Sequence, residues 1–167
     1  MEDQPDRLRI VIGSDDAGRA YKGVLANDLR ADTRVVVVRD IGVDDQSRAS
    51  YPQIALAAAE HVAGGRADRA LLVCHTGLGM AIAANKVPGV RAVTAHDVVS
   101  VRAAVLSNDA QILALGQGVI GLALARRLVD EWLNIRFAPG TTATAKLAAI
   151  RDYEQHRMSG TAAGRGC

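Results

Sequence analysis

Short, unbroken apolar runs alternate with segments of helical pattern along almost the whole chain, and this alternation limits the fold more than any other feature. The runs are Leu8 to Gly13 (LRIVIG), Val35 to Val38 (VVVV), Arg69 to Cys74 (RALLVC), Val90 to Ala95 and Ala110 to Leu115. They read as runs, not as apolar–polar alternations, so each strand is expected to be covered on both faces. Helices are predicted over Ala17–Ala31, about Pro52–Ala63, from the Gly77-Leu78-Gly79 loop to about Lys86, about Asp97–Leu106, Val119–Leu133 and Thr144–Met158. In Val119–Leu133, Leu122, Ala125, Val129 and Trp132 share one face, with Arg126, Arg127, Asp130 and Glu131 off it. Pro88-Gly89 and Pro139-Gly140 mark turns, and Asp40–Ser50 reads as a polar loop. Strand–helix alternation of this kind predicts an α/β fold, one doubly wound domain of five parallel strands with helices on both faces, spanning residues 1–158. The Gly/Ala-rich residues 159–167 are expected to be a disordered tail.

Composition narrows the class. Tyr21, Tyr51, Tyr153, Trp132 and Phe137 are the only aromatics, so the core must be aliphatic. The formal net charge is +2, which gives no reason to expect nucleic acid. No apolar stretch approaches the roughly 18 residues of a membrane helix, and MEDQPDRLR lacks a signal core. With only Cys74 and Cys167, a disulfide framework is not expected, and the cytoplasm is the default location.

In open parallel sheets ligands bind at the carboxyl ends of the strands. Three of those ends carry unusual polar clusters: Gly13-Ser14-Asp15-Asp16-Ala17-Gly18, Cys74-His75-Thr76-Gly77-Leu78-Gly79, and His96-Asp97. A thiol beside a glycine loop that enters a helix feels the positive end of that helix, which favours the thiolate. Backbone N–H groups of such a loop can converge on an oxyanion. A base beside an oxyanion hole is what proton transfer next to a carbonyl requires. Each group also has a plainer reading. Cys74 can be a packing residue, Asp15 or Asp16 a helix cap, and His96 a satisfied structural histidine. A zinc site at Cys74-His75 is disfavoured, because no second Cys or His pair has ligand spacing.

Taken together, GSDDAG with Lys22 downstream, Tyr51-Pro52, VCHTGLGMAIAANKVPGVRAV and SNDAQILALG resemble the ribose-5-phosphate isomerase B / galactose-6-phosphate isomerase family, in family order from about residue 8 to residue 156. The resemblance implies a Rossmann-like domain with an extending C-terminal helix, needing no metal or other cofactor. It implies that Cys74 moves the proton between C1 and C2 of a sugar phosphate and that Thr76 assists it. The amides around Gly77, Leu78 and Gly79 would hold the enediolate. Asp15, a catalytic residue with Cys74 and Thr76, would handle sugar hydroxyls and ring opening, Tyr51 would line the pocket, and Asn108 would contact substrate oxygens. The family works as dimers or tetramers, the C-terminal segment reaching the neighbouring subunit, so Lys146 would serve the neighbour's site.

Four positions depart from the ribose-5-phosphate isomerase pattern. The histidine before the substrate asparagine is Ser107, the histidine of DHAG is Asp16, the arginine after the fifth strand is Gly118, and the arginine pair near the last helix is represented by Lys146, with Thr142 at the first place. Ribose 5-phosphate is mostly a closed ring, and by resemblance the missing histidine opens it. A four-carbon aldose phosphorylated on O4 has no free hydroxyl that closes a five-membered ring, so Ser107 suits D-erythrulose 4-phosphate and D-erythrose 4-phosphate. The chain also resembles the erythritol-pathway branch of the family in Ala95-His96-Asp97, Leu106-Ser107-Asn108 and Ala110-Gln111-Ile112. Asp16, His75 and His96 are further candidate substrate contacts. Arg102, Arg136 and helix N-termini are candidates to make up the lost phosphate cations. The alternatives are an ordinary ribose-5-phosphate isomerase that opens its ring with His96 and Asp15, or a non-catalytic sugar-phosphate binding domain.

Overall fold

The computed structural model describes residues 7–43 and 48–163. Part of the predicted Asp40–Ser50 loop, Cys167 and the end of the predicted tail therefore lie outside the described residues. The strands are β1 (Leu8–Ser14), β2 (Val35–Asp40), β3 (Arg69–Cys74), β4 (Ala92–Thr94) and β5 (Ile112–Gly116). The helices are α1 (Arg19–Ala31), α2 (Tyr51–Ala63), α3 (Leu78–Ala84), α4 (Val98–Leu106), α5 (Leu122–Asn134) and α6 (Thr142–Ala163). All strand pairs are parallel, in the order β2-β1-β3-β5-β4.

The helices sort by the direction in which each connection travels across the sheet. Leu25 and Leu29 of α1, Val101 and Val105 of α4, and Leu128 and Trp132 of α5 pack with Ile10, Ile12, Leu71, Val73 and Leu113 on one face. Ile54 and Ala58 of α2 and Met80, Ala81 and Ala84 of α3 pack with Val11, Ala70, Leu72 and Ile112 on the other. Connections through α1 and α4 run one way along the sheet and those through α2 and α3 run the other way, as right-handed crossovers require. At the neighbouring strands β1 and β3 the chain therefore departs to opposite faces. The crevice of a doubly wound sheet opens at such a switch point.

Edges explain where the apolar runs mislead. β2 is an edge strand, and Val36 and Val37 are half exposed in spite of their β-branched run. β4, the other edge, has three residues, and Asn85 pairs with its first: its Nδ2 donates to Ala92 O and its Oδ1 accepts from Ala92 N, both at 2.8 Å. α5 begins at Leu122, later than the predicted Val119, because the N–H groups of Val119 and Ile120 turn back to the Gly116 carbonyl. The far end of α5 is tied to the sheet by Arg69. Its guanidinium is buried against the Trp132 ring and donates to the carbonyls of Trp132 and Ile135, and burial pushes its pKa down to about 10. α6 runs past the predicted end at Met158. It buries Leu147 while Ile150, Tyr153 and Met158 stand exposed.

Candidate active site

Cys74 is the last residue of β3, at the switch point, and is 6% exposed. It belongs to the buried cluster that also holds Met80, Ala81 and Ala114, so the packing reading of this residue is partly right. The sulfur is not purely packed, however. The Gly77 N–H donates to Sγ at 3.1 Å. That contact exists because Gly77, the residue before α3, adopts φ +80°, a left-handed conformation natural to glycine. A β-carbon there would also crowd Thr94 Cγ2 at 3.0 Å and Ala114 O at 3.1 Å. Thr94 fixes the loop from β4, its hydroxyl donating to the Gly77 carbonyl at 3.0 Å.

Thr76 lies over β5, its backbone within 2.8 Å of where a Gly116 β-carbon would stand, so glycine is needed for the approach. Its Oγ1 accepts from the Leu78 N–H at 3.4 Å, which leaves the hydroxyl proton to donate elsewhere. Two of the three amides expected to form an oxyanion hole, those of Gly77 and Leu78, are thus directed at the thiol and hydroxyl that would flank a substrate. The Leu78 side chain is exposed. Tyr51 opens α2 and lies against Gly79, where a β-carbon would meet ring Cε2 at 2.6 Å.

From β1, Asp15 caps the single 3-10 turn Asp16–Gly18, its Oδ1 accepting from Gly18 N at 3.1 Å. Of the two aspartates Asp15 is the cap, and Asp16 is exposed and faces Arg48 at 3.5 Å. Gly18 presses on the end of β3: a β-carbon would fall 2.2 Å from Val73 O and 2.9 Å from Cys74 N. The Asp15 turn and the Cys74 loop are therefore in contact. Lys22 lies behind them, buried on Asp40 and the Val43 carbonyl. From β4, His96 Nε2 accepts from the Gly116 N–H at 2.9 Å. Burial lowers its pKa, against a smaller opposing pull from Asp97, and Asp97 itself caps α4 at Ser100. The structural reading of His96 holds at Nε2.

One chain does not bring the whole candidate set together. Asn108 precedes β5, whose last residue, Gly116, pairs with Cys74. Asn108 thus sits at the amino edge of the sheet, its carbonyl held by Arg91 at 2.9 Å. The five residues of β5 separate the two edges by roughly 13 Å at about 3.3 Å per residue. α6 reaches the amino edge as well, where Glu154 accepts from the Gly89 N–H at 3.0 Å, and Lys146 is exposed on that helix. Two proposed replacements for the phosphate cations are committed elsewhere. Arg102 pairs with Glu131 of α5, and Arg136 donates to the carbonyls of Leu133 and Ile135. Among the described residues no group of three or more His, Cys, Asp or Glu side chains could hold a metal ion. No described helix is long and apolar enough to cross a membrane.

Sequence reading missed Thr94, Gly116 and Gln117 as parts of the site's frame. Gln117 joins two loops, its Oε1 accepting from Tyr21 N at 2.9 Å. The glycines of Leu115–Gly121 (LGQGVIG) were the available signal.

Residues 10–150 match the protein family described as Ribose/Galactose Isomerase. The chain is 59% identical over 150 residues to D-erythrulose-4-phosphate isomerase 2 of Mycolicibacterium smegmatis, covering 88% of this chain and 97% of that one. It is 38% identical over 149 residues to ribose-5-phosphate isomerase B of Escherichia coli, covering 89% and 98%. Among solved structures, ribose-5-phosphate isomerase B of Clostridium thermocellum superposes with a TM-score of 0.82 at 40% identity, covering 89% of this chain and 99% of that one.

Proposed function

Because the chain belongs to the ribose/galactose isomerase family, we propose that it interconverts D-erythrulose 4-phosphate and D-erythrose 4-phosphate through a cis-enediolate, with Cys74 as the base. The observation that carries this reading is the Cys74 sulfur at the carboxyl edge of the sheet with the Gly77 N–H on it. That donor stabilises a thiolate. The thiolate takes a proton from C1 of the ketose. The C1–H electron pair becomes the C1–C2 double bond, and the C2 carbonyl pair moves to its oxygen. The same proton returns to C2, and the O1 proton passes to the C2 oxygen, so that C1 becomes the aldehyde carbonyl and C2 carries a hydroxyl. Thr76, its oxygen already accepting from Leu78, is placed to donate its hydroxyl proton to a substrate oxygen.

Ser107 supports the four-carbon substrate, since an open-chain sugar needs no ring-opening histidine. The groups named for ring opening in the pentose alternative are engaged: His96 Nε2 holds Gly116 N, and Asp15 holds Gly18 N. We further propose a homodimer in the cytoplasm. Asn108 lies at the edge away from Cys74 and Lys146 is exposed on α6, so a second copy would bring them to it. Exposed Leu78 and Ile82 of α3 and Tyr51 and Leu56 of α2 offer apolar surface beside the site.

The experiment is turnover of D-erythrulose 4-phosphate by the purified chain and by Cys74→Ser. Aldose formation that falls roughly 10²–10⁴-fold in the variant is the expected result. Good turnover of D-ribulose 5-phosphate with none of the tetrulose phosphate rejects the substrate. Ligand binding with no turnover of any sugar phosphate rejects the isomerase. A monodisperse, fully active monomer rejects the dimer.

A further inference from the structure

The imidazole of His75 stands directly over the α-carbon of Gly118. A β-carbon on Gly118 would fall 2.2 Å from Cε1, 2.5 Å from Nδ1 and 2.8 Å from Nε2. No side chain fits there while the ring holds its place. The backbone keeps the two residues in register, because Gln117 N–H donates to Cys74 O at 2.8 Å and Gly118 N–H to His75 O at 2.9 Å. β3 lies between β1 and β5. The Asp16–Gly18 turn therefore flanks the end of β3 on one side, and the Gly118 loop carries His75 on the other. His75 is exposed and directly follows the thiol.

Several charged groups around that edge oppose a phosphoryl dianion or are already committed. Asp15 and Asp16 are anionic, and Arg48 faces Asp16. Lys22 is buried on Asp40. His96 uses Nε2 as an acceptor, a role that needs an unprotonated nitrogen. An imidazole, in contrast, can donate from both ring nitrogens and then carries a positive charge.

We propose that His75 binds the phosphoryl group of the substrate, and that Gly118 is the residue whose missing side chain lets it do so. This rests on the isomerase reading above and adds to it the group that anchors the end of the substrate away from the reacting carbons. A residue with this task contributes to binding in the ground state and the transition state alike, so its loss raises KM and leaves kcat nearly intact.

The test is a double-mutant cycle on the full-length protein with D-erythrulose 4-phosphate, accompanied by calorimetric binding of inorganic phosphate. His75→Ala is expected to raise KM about tenfold or more with kcat within about threefold, and to weaken phosphate binding similarly. Gly118→Ala is expected to raise KM by dislodging the ring, and to add nothing in the His75→Ala background. His75→Arg, which restores a cation on a flexible stem, is expected to recover part of the affinity. An unchanged KM and phosphate affinity in His75→Ala overturns the proposal. So does a Gly118→Ala effect of equal size with and without His75. If the wild-type protein turns over no sugar phosphate, the isomerase reading fails, and the phosphate calorimetry still decides whether His75 is an anion ligand.

Discussion

His96 and Gly116 join the carboxyl ends of β4 and β5 through one hydrogen bond, from the Gly116 N–H to His96 Nε2 at 2.9 Å. The bond needs the unprotonated nitrogen, and burial holds the His96 pKa below the ordinary histidine value. The unfolded chain therefore binds this proton more readily than the folded one. The contribution of His96 to stability is complete above the unfolded value, near 6.5, and is lost as pH falls through the lower folded value. The wild-type melting temperature should fall by a few degrees between pH 7.5 and pH 5. His96→Gln, which offers a non-titrating acceptor, should show a flatter profile. Asp32 and Asp68 do not confuse the comparison, because Arg34 and Arg9 hold their pKa values below the usual carboxylate range. Parallel profiles for the two proteins would show that His96 does not titrate against this bond.

Gly79 and Tyr51 separate stability from activity. A methyl group at Gly79 would meet ring Cε2 at 2.6 Å, and the ring, 43% exposed, has room to swing outward. Alanine in place of glycine also favours a helix by roughly 0.5–1 kcal/mol. Gly79→Ala should therefore melt no lower than the wild type yet turn over D-erythrulose 4-phosphate several-fold more slowly, because Tyr51 no longer lines the site. Thermal melting and steady-state kinetics on the same preparation check both halves. Full activity with Tyr51 displaced would remove the tyrosine from the site.

The alternation of apolar runs and helices was enough to place the five strands and six α-helices of the described chain, though not the Asp16–Gly18 turn or the part of α6 beyond Met158, and the contiguous Cys74–Gly79 loop was readable because its geometry is local. What depends on strand order was not readable. β5 inserts between β3 and β4, and only that insertion brings Gly118 to His75 and Gly116 to both Thr76 and His96. The same limit applies to Asn108 and Lys146. The pattern names them, but only the direction of β5 puts Asn108 at the other edge from Cys74, and only the course of α6 leaves Lys146 exposed. Which residues cap a turn is also a matter of coordinates: Asp15 and Asp16 are adjacent, and only Asp15 turns its carboxylate onto Gly18 N.

Asn85 acts as a substitute strand for β4. Its amide exchanges both hydrogen bonds with the backbone of Ala92, at 2.8 Å each. Removing the side chain leaves a half-buried N–H and C=O without partners, a loss of about 1–3 kcal/mol. Asn85→Ala should unfold at correspondingly lower urea concentration with an unchanged m-value. Asn85→Asp keeps the acceptor for Ala92 N but sets a carboxylate oxygen against Ala92 O, so it should be destabilised as well. An alanine variant as stable as the wild type would mean that water replaces the amide at no cost.

Gly77 couples the backbone to the chemistry. At φ +80°, alanine there is strained by roughly 1–2 kcal/mol, and its methyl would press on Thr94 Cγ2 at 3.0 Å and Ala114 O at 3.1 Å. The loop can relieve this only by shifting the N–H that donates to Cys74 Sγ. Gly77→Ala should therefore lose thiolate stabilisation together with stability. Two readouts distinguish that from simple unfolding: alkylation of Cys74 by iodoacetamide under native conditions, and kcat at saturating D-erythrulose 4-phosphate. Both should drop about tenfold or more at a temperature where the variant is still folded, in line with the loss of one hydrogen bond to a charged group. A folded Gly77→Ala protein that alkylates and turns over at the wild-type rate would show that the Gly77 amide does not serve the sulfur, and the thiolate would need another source of stabilisation.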